Sequence, residues 1–240
     1  MATAAPPPSD TIDFGRCFTF VTEDPEWLTK VLVGGLFTLL SAVLVGIPFL
    51  LGYWGRTLKN VAAGQPRPLP EWDDLGGIFS DGLRLFGVYL VYTLGLTMAI
   101  AALSCVFVAP LVAVGGSGRL DDGVGALVAA LGGIGTLLFY GVIMVVSLAA
   151  LVYLPAAIAR AALRESFSEG FAWREITAFI QANLGNYALA LVIYLLASFL
   201  SQFGMILCCV GIFPAAFWSY EILAYALGET VRLNPTSVQS

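Results

Sequence analysis

Four stretches of this chain run without a charged side chain for longer than a membrane-crossing helix requires. They lie between Lys30 and Arg56, Arg84 and Arg119, Asp122 and Arg160, and Glu175 and Glu221. A helix rising about 1.5 Å per residue crosses roughly 30 Å of hydrocarbon in about 20 apolar residues. Of the 240 residues, 59% are hydrophobic and 11% charged, and the mean hydropathy is +0.88. A soluble domain carries about 25% charged residues, so there is too little charge here to cover a water-soluble globule. Disordered, coiled-coil and collagen-like chains are excluded on the same grounds. With 11 Lys and Arg against 16 Asp and Glu, a nucleic-acid partner is excluded too, because phosphate binding needs a basic surface.

The expected fold is all-α: a polytopic transmembrane helical bundle of five spans, with four or six as alternatives, and interfacial amphipathic helices. The spans are placed at 31–54, 85–110, 130–159, 186–203 and 205–227, within one helical domain over 14–232. The last pair reads alternatively as a re-entrant hairpin. Residues 1–13 lack a basic n-region and an apolar h-region, so they read as a disordered tail rather than a cleavable signal. The first span then serves as the insertion signal. Residues 233–240 are a C-terminal tail. Two segments interrupt the apolar pattern. In the first, DFGRCFTFVTEDPEWLTK, Asp24 is placed to cap a helix with Pro25 at its first position. In the second, Trp173, Ile176, Ile180 and Leu184 recur at helical spacing, opposite Arg174 and Gln181.

Five spans put Arg16, Lys30 and Arg119 on one side. Arg56, Lys59, Arg67, Arg84, Arg160, Arg164, Arg174 and Arg232 fall on the other. The richer side should be cytoplasmic. The C-terminus and the 55–84 loop are therefore expected inside, and the N-terminal segment outside. The two ends of the chain are also loosely alike: Gly46-Ile47-Pro48-Phe49 recurs as Gly211-Ile212-Phe213-Pro214.

The chain has no histidine. Ser-His-Asp and Cys-His catalysis, His-ligated haem and His-based proton relays are thereby excluded. Cys17, Cys105, Cys208 and Cys209 form no C-x-x-C pair and read as small buried hydrophobes. No phosphate-binding loop or nucleophile elbow is present. No catalytic, cofactor-binding or metal-binding residue is expected, and no cofactor.

The least generic segment is GQPRPLPEWDDLGGIFSDGLRLF. Pro66, Pro68 and Pro70 hold it extended. Glu71, Trp72, Asp73, Asp74 and Asp81 are its candidate polar and interaction positions. Asp73 is placed to cap the following helix, and Trp72 suits the interface. Helix capping with ion pairing to Arg56, Lys59, Arg67 and Arg84 is the preferred reading. The alternatives are an oxygen-ligated divalent cation and an acid–base pair. Glu221 is the one ionisable residue inside an apolar run, read as interfacial, or alternatively as a buried ion or proton ligand. Gly125, Ala129 and Gly133 form a small-residue groove for helix packing.

This loop and its flanks resemble a family of prokaryotic integral membrane proteins known as domain of unknown function 4013. The resemblance is carried by Phe20 to Trp27 with Asp24-Pro25, Gly34-Gly35, Gly52-Tyr53 with Arg56, Gly64 and Leu69-Pro70-Glu71-Trp72-Asp73-Asp74. It continues through Phe79, Asp81-Gly82-Leu83, Pro155-Ala156, Phe171, Asn186-Tyr187 and Gly228 before Arg232. It implies a membrane fold and no particular activity. The expected function is that of a non-enzymatic accessory or scaffold component in the cell membrane. Its partners are the lipid bilayer and other membrane proteins, or further copies of itself, through lateral helix packing. The alternatives are a transporter or permease for a small apolar or zwitterionic solute and, third, a lipid-acting enzyme.

Overall fold

A computed structural model of the chain describes residues 11–107, 122–206 and 210–238. Every regular element among these is helical. The α-helices are α1 (Phe14–Thr19), α2 (Trp27–Leu40), α3 (Gly46–Ala62), α4 (Leu75–Phe107), α5 (Asp122–Leu163), α6 (Trp173–Ala182), α7 (Leu184–Ser201) and α8 (Ile212–Leu233). Two compact units emerge, Met1–Val88 with Ala156–Ser240, and Tyr89–Pro155. Among the described residues three helices are long and apolar enough to cross a membrane: Leu75–Val106, Gly132–Leu163 and Leu184–Ile206. The expected spans 85–110 and 130–159 fall in α4 and α5, and residues 108–110 lie outside the described residues.

The expected span 31–54 is broken in two. After α2 the chain makes a 3-10 turn, Ser41–Val43, and Leu44 takes a left-handed conformation with φ 66°. Helix α3 then restarts at Gly46 and folds back along α2. A Cβ at Gly46 would meet the Phe37 carbonyl oxygen, so only glycine permits so close a return. Phe37 stacks on Phe49 at 4.4 Å between ring centroids. The breakers are local: the Ser41 hydroxyl donates to the Thr38 carbonyl, and Gly46 and Pro48 open the new helix. At its other end α3 closes with Gly64 at φ 73°. There the Gln65 N–H reaches the Asn60 carbonyl at 2.9 Å and the Gly64 N–H the Val61 carbonyl at 2.8 Å, the paired bonds of a glycine-terminated helix.

Helices α7 and α8 form a second hairpin, an arrangement common to the two-span reading and to its re-entrant alternative. Tyr194 of α7 stacks on Tyr220 of α8. Helix α8 is the centre of the first unit, packing on α2, α3 and α7, and it is buried from Glu221 to Val231. It runs parallel to α3: Tyr53 meets Phe217 at 5.4 Å, and Gly228 faces Val61 and the Leu58 carbonyl. It runs antiparallel to α2, where Gly34 and Gly35 face Phe217 and Pro214. The loose recurrence of Gly46 and Gly211 thus marks equivalent places, each just after a hairpin turn.

Several local expectations change. Helix α1 forms and is capped by Asp13, whose carboxylate accepts from the Arg16 N–H at 3.1 Å. Of the expected 1–13 tail, residues 11–13 are described and Ile12 is buried, while residues 1–10 lie outside the described residues. Helix α6 forms, but its buried face is Ile176 and Phe179, while Trp173 and Leu184 are exposed. The expected C-terminal tail includes a 3-10 turn, Pro235–Val238, that packs on α6.

In the second unit, Phe139 is buried, whereas Met98, Leu137 and Met144 are bare. Thr93, Thr97 and Ser104 each return a 2.8 Å hydrogen bond to a carbonyl four residues back in α4. Hydroxyls on an apolar helix are thereby satisfied without water. Gly133, expected to line a packing groove, has open space beside it. Gly125 and Ala129 lie in α5, where side-chain surroundings are outside the described residues.

Candidate functional site

The extended Leu69–Asp74 segment crosses the first unit and ties three helices together. Its rigidity comes from the alternating prolines, and its carbonyls face the helices. The Asn60 amide donates to the Pro68 carbonyl at 2.8 Å and the Tyr53 hydroxyl to the Pro70 carbonyl at 2.9 Å, both from α3. From α2, Lys30 Nζ donates to the Leu69 carbonyl at 3.3 Å. The same ammonium pairs with Asp24 at 2.8 Å and with Glu71 at 2.6 Å. Lys30 and Asp24 are both buried, whereas the Glu71 side chain is 56% exposed.

Trp72 is the plug of this clamp. Its indole N–H donates to the Lys30 carbonyl at 3.1 Å. Its ring stacks on Tyr53 at 4.2 Å and on Phe37 at 5.0 Å. It is half-buried between the arms of the first hairpin. Stacked aromatic rings contribute roughly 0.5–1.5 kcal/mol each beyond their buried area.

Asp74, and not Asp73, caps α4. Its Oδ1 accepts from the Gly77 N–H at 2.9 Å, and Asp73 is exposed beside it. Arg56 bridges Asp74 at 3.0 Å and Asp81 at 2.8 Å. The Gly77 N–H, and then the Arg56 guanidinium, hold the Asp74 carboxyl below the usual carboxylate range. Just beyond, α3 and α4 cross at Gly52 and Gly82, where added Cβ atoms would meet the Ile78 and Pro48 carbonyl oxygens. Among the described residues no group of three or more Asp, Glu or Cys is placed to hold a metal ion.

Glu221 does not reach an interface. It is 1% exposed in the middle of α8, beside Thr57 of α3. Neither carboxylate oxygen, nor the Thr57 hydroxyl, has a partner at hydrogen-bonding distance. A cavity of about 190 Å³ lies farther along α8, lined by Arg16, Glu23, Gln65, Tyr225, Glu229 and Arg232. Glu229 there pairs with Arg232 at 2.7 Å.

Sequence reasoning missed Lys30, Asp24, Tyr53 and Thr57 as parts of this arrangement. Lys30 carried a signal: it is a lone cation at the edge of a long apolar run, with carboxylates on both neighbouring segments. Lys30 and Glu71 were expected on opposite membrane faces, and they form one ion pair.

No curated protein and no solved structure matches the chain. A family model, "Protein of unknown function (DUF4013)", matches residues 13–210. That match takes in the whole clamp and stops short of α8, so Glu221 falls outside it. Covering most of its length, the match makes the chain a member of the DUF4013 family.

Proposed function

We propose that this protein is a multi-pass protein of the prokaryotic cell membrane and acts as a non-enzymatic accessory or scaffold component. The C-terminus and the 55–84 loop face the cytoplasm. Other membrane proteins, or further copies of this chain, pack laterally against its long helices. The observation that carries this reading is the bare apolar surface of the second unit. Leu137 is 74% exposed and Met98 72%, on helical stretches that carry no charge from Leu85 to Phe107 and from Gly123 to Ala159. Such surface is stable in lipid and open to close helix packing. The carboxylates of the 71–81 segment support a structural role, because Glu71, Asp74 and Asp81 each pair with a cation that belongs to the clamp.

The test is photocrosslinking in native membranes from Leu137 and Met98, with Gln65 as a water-facing control. The reading expects discrete protein adducts from Leu137 or Met98 and none from Gln65. Lipid adducts alone at Leu137 and Met98 would overturn lateral association.

Glu221 favours a second reading, transport of a small apolar or zwitterionic solute. A buried carboxyl with no partner is costly and marks functional positions in membrane helices. A solute flux in proteoliposomes that Glu221→Gln abolishes, with folding intact, would select it.

A further inference from the structure

We infer that the first helical hairpin, α2–α3, is re-entrant, entering and leaving the bilayer through one and the same face. The inference rests on the multi-pass reading above and adds the topology of that hairpin. Its turn, residues 41–45, lies at one end of the first unit. Among the described residues every ion pair lies toward the other end: Lys30 with Asp24 and Glu71, Arg56 with Asp74 and Asp81, Lys59 with Glu165, Arg160 with Glu169, and Arg232 with Glu229.

The dimensions fit one leaflet. From Lys30 to Leu40 and from Gly46 to Arg56 the charge-free depth is about 15 Å at about 1.5 Å per residue, half of a roughly 30 Å hydrocarbon core. The first turn is apolar and bare, with Val43 66% and Leu44 63% exposed. A turn in hydrocarbon must satisfy its own backbone, and this one does so in part. The Leu44 N–H returns to the Ser41 carbonyl at 2.9 Å and the Ile47 N–H to the Leu44 carbonyl at 3.4 Å.

Charge supplies the independent argument. With a hairpin in place of the 31–54 crossing, α4 and α5 remain full spans, and α7 with α8 returns to the face it left. Every Lys and Arg in the chain then lies on one face except Arg119, in the link between those spans. Five crossings had left Arg16, Lys30 and Arg119 together on the poor side. The re-entrant arrangement is the more strongly biased of the two, and the basic face is the cytoplasmic one.

Single cysteines read by a membrane-impermeant maleimide in sealed vesicles of known orientation test this. Cys105, Cys208 and Cys209 are replaced. Cys17 stays, because burial, and then the nearby Glu229 carboxylate, push its thiol up to about 12. Cysteines at Thr22 and Gln65 are expected to label from the same face, and one at Ser117 from the opposite face. Thr22 labelling opposite to Gln65 would make 31–54 a full crossing and overturn the inference. Ser117 labelling from the same face as Gln65 would instead overturn the multi-pass reading beneath it. A second measurement leaves the chain's own residues unchanged: terminal epitopes should be reached from the same face, and epitopes on opposite faces would overturn re-entrance.

Discussion

The Lys30 ammonium lies 2.6 Å from the Glu71 carboxylate and 2.8 Å from that of Asp24, joining the start of α2 to the segment that follows α3. The three charges close the base of the first hairpin, and the residues between Lys30 and Arg56 form its two apolar arms. An ammonium buried with a buried carboxylate is tolerated only when each satisfies the other.

Removing one partner should therefore cost more than removing both. Lys30→Met leaves Asp24 buried and unpaired, and should destabilise the protein by about 3–5 kcal/mol. Adding Asp24→Asn should recover most of that loss. Thermal denaturation of the purified protein in detergent measures both, and equal stability of the single and double variants would contradict the pairing.

Trp72 separates stacking from hydrogen bonding. Trp72→Phe keeps a ring against Tyr53 and Phe37 but loses the bond to the Lys30 carbonyl, a cost of about 0.5–1.5 kcal/mol. Trp72→Ala also empties the space between the hairpin arms and should cost about 3–5 kcal/mol. Similar melting temperatures for the two variants would mean that the ring fills no essential space.

The α3–α4 crossing depends on missing side chains. Gly52→Ala drives a methyl group into the Ile78 carbonyl and should cost about 1–3 kcal/mol. Gly76→Ala, where nothing lies within 4 Å, should be neutral or stabilising by up to about 1 kcal/mol. The contrast is read in one denaturation series, and a neutral Gly52→Ala would contradict the close crossing.

Acid should loosen the α4 cap. The Asp74 carboxyl is held below its ordinary range in the folded chain. Its contribution is therefore complete above the unfolded value of about 3.9 and is lost as pH falls through the lower folded value. Below about pH 4, hydrogen exchange at Gly77 and Ile78 should accelerate in the wild type. Asp74→Asn should flatten that dependence; an unchanged profile would show that another carboxyl controls it.

Much of the architecture was legible because apolar runs and charge-free gaps follow directly from the cost of burying charge in lipid. The helical class, the long α4 and α5, the amphipathic α1 and α6, and the distinctive Leu69–Asp74 segment all follow from that pattern. The first hairpin was not legible, because hydropathy records no direction. Residues 31–54 are as apolar bent at Ser41–Val45 as straight, and only Ser41, Gly46 and Pro48 hinted at the break. Asp73 and Asp74 are adjacent and chemically identical, so which one caps depends on how Trp72 seats. The enclosure of Glu221 depends on α3 lying beside α8, a long-range packing that no local spacing encodes.

Alkaline carbonate washing of membranes that contain the full chain bears most directly on the premise that its apolar helices lie in lipid. The protein should stay with the membrane pellet and be released only by detergent. Recovery of a dispersed, monomeric chain in the aqueous wash would contradict it.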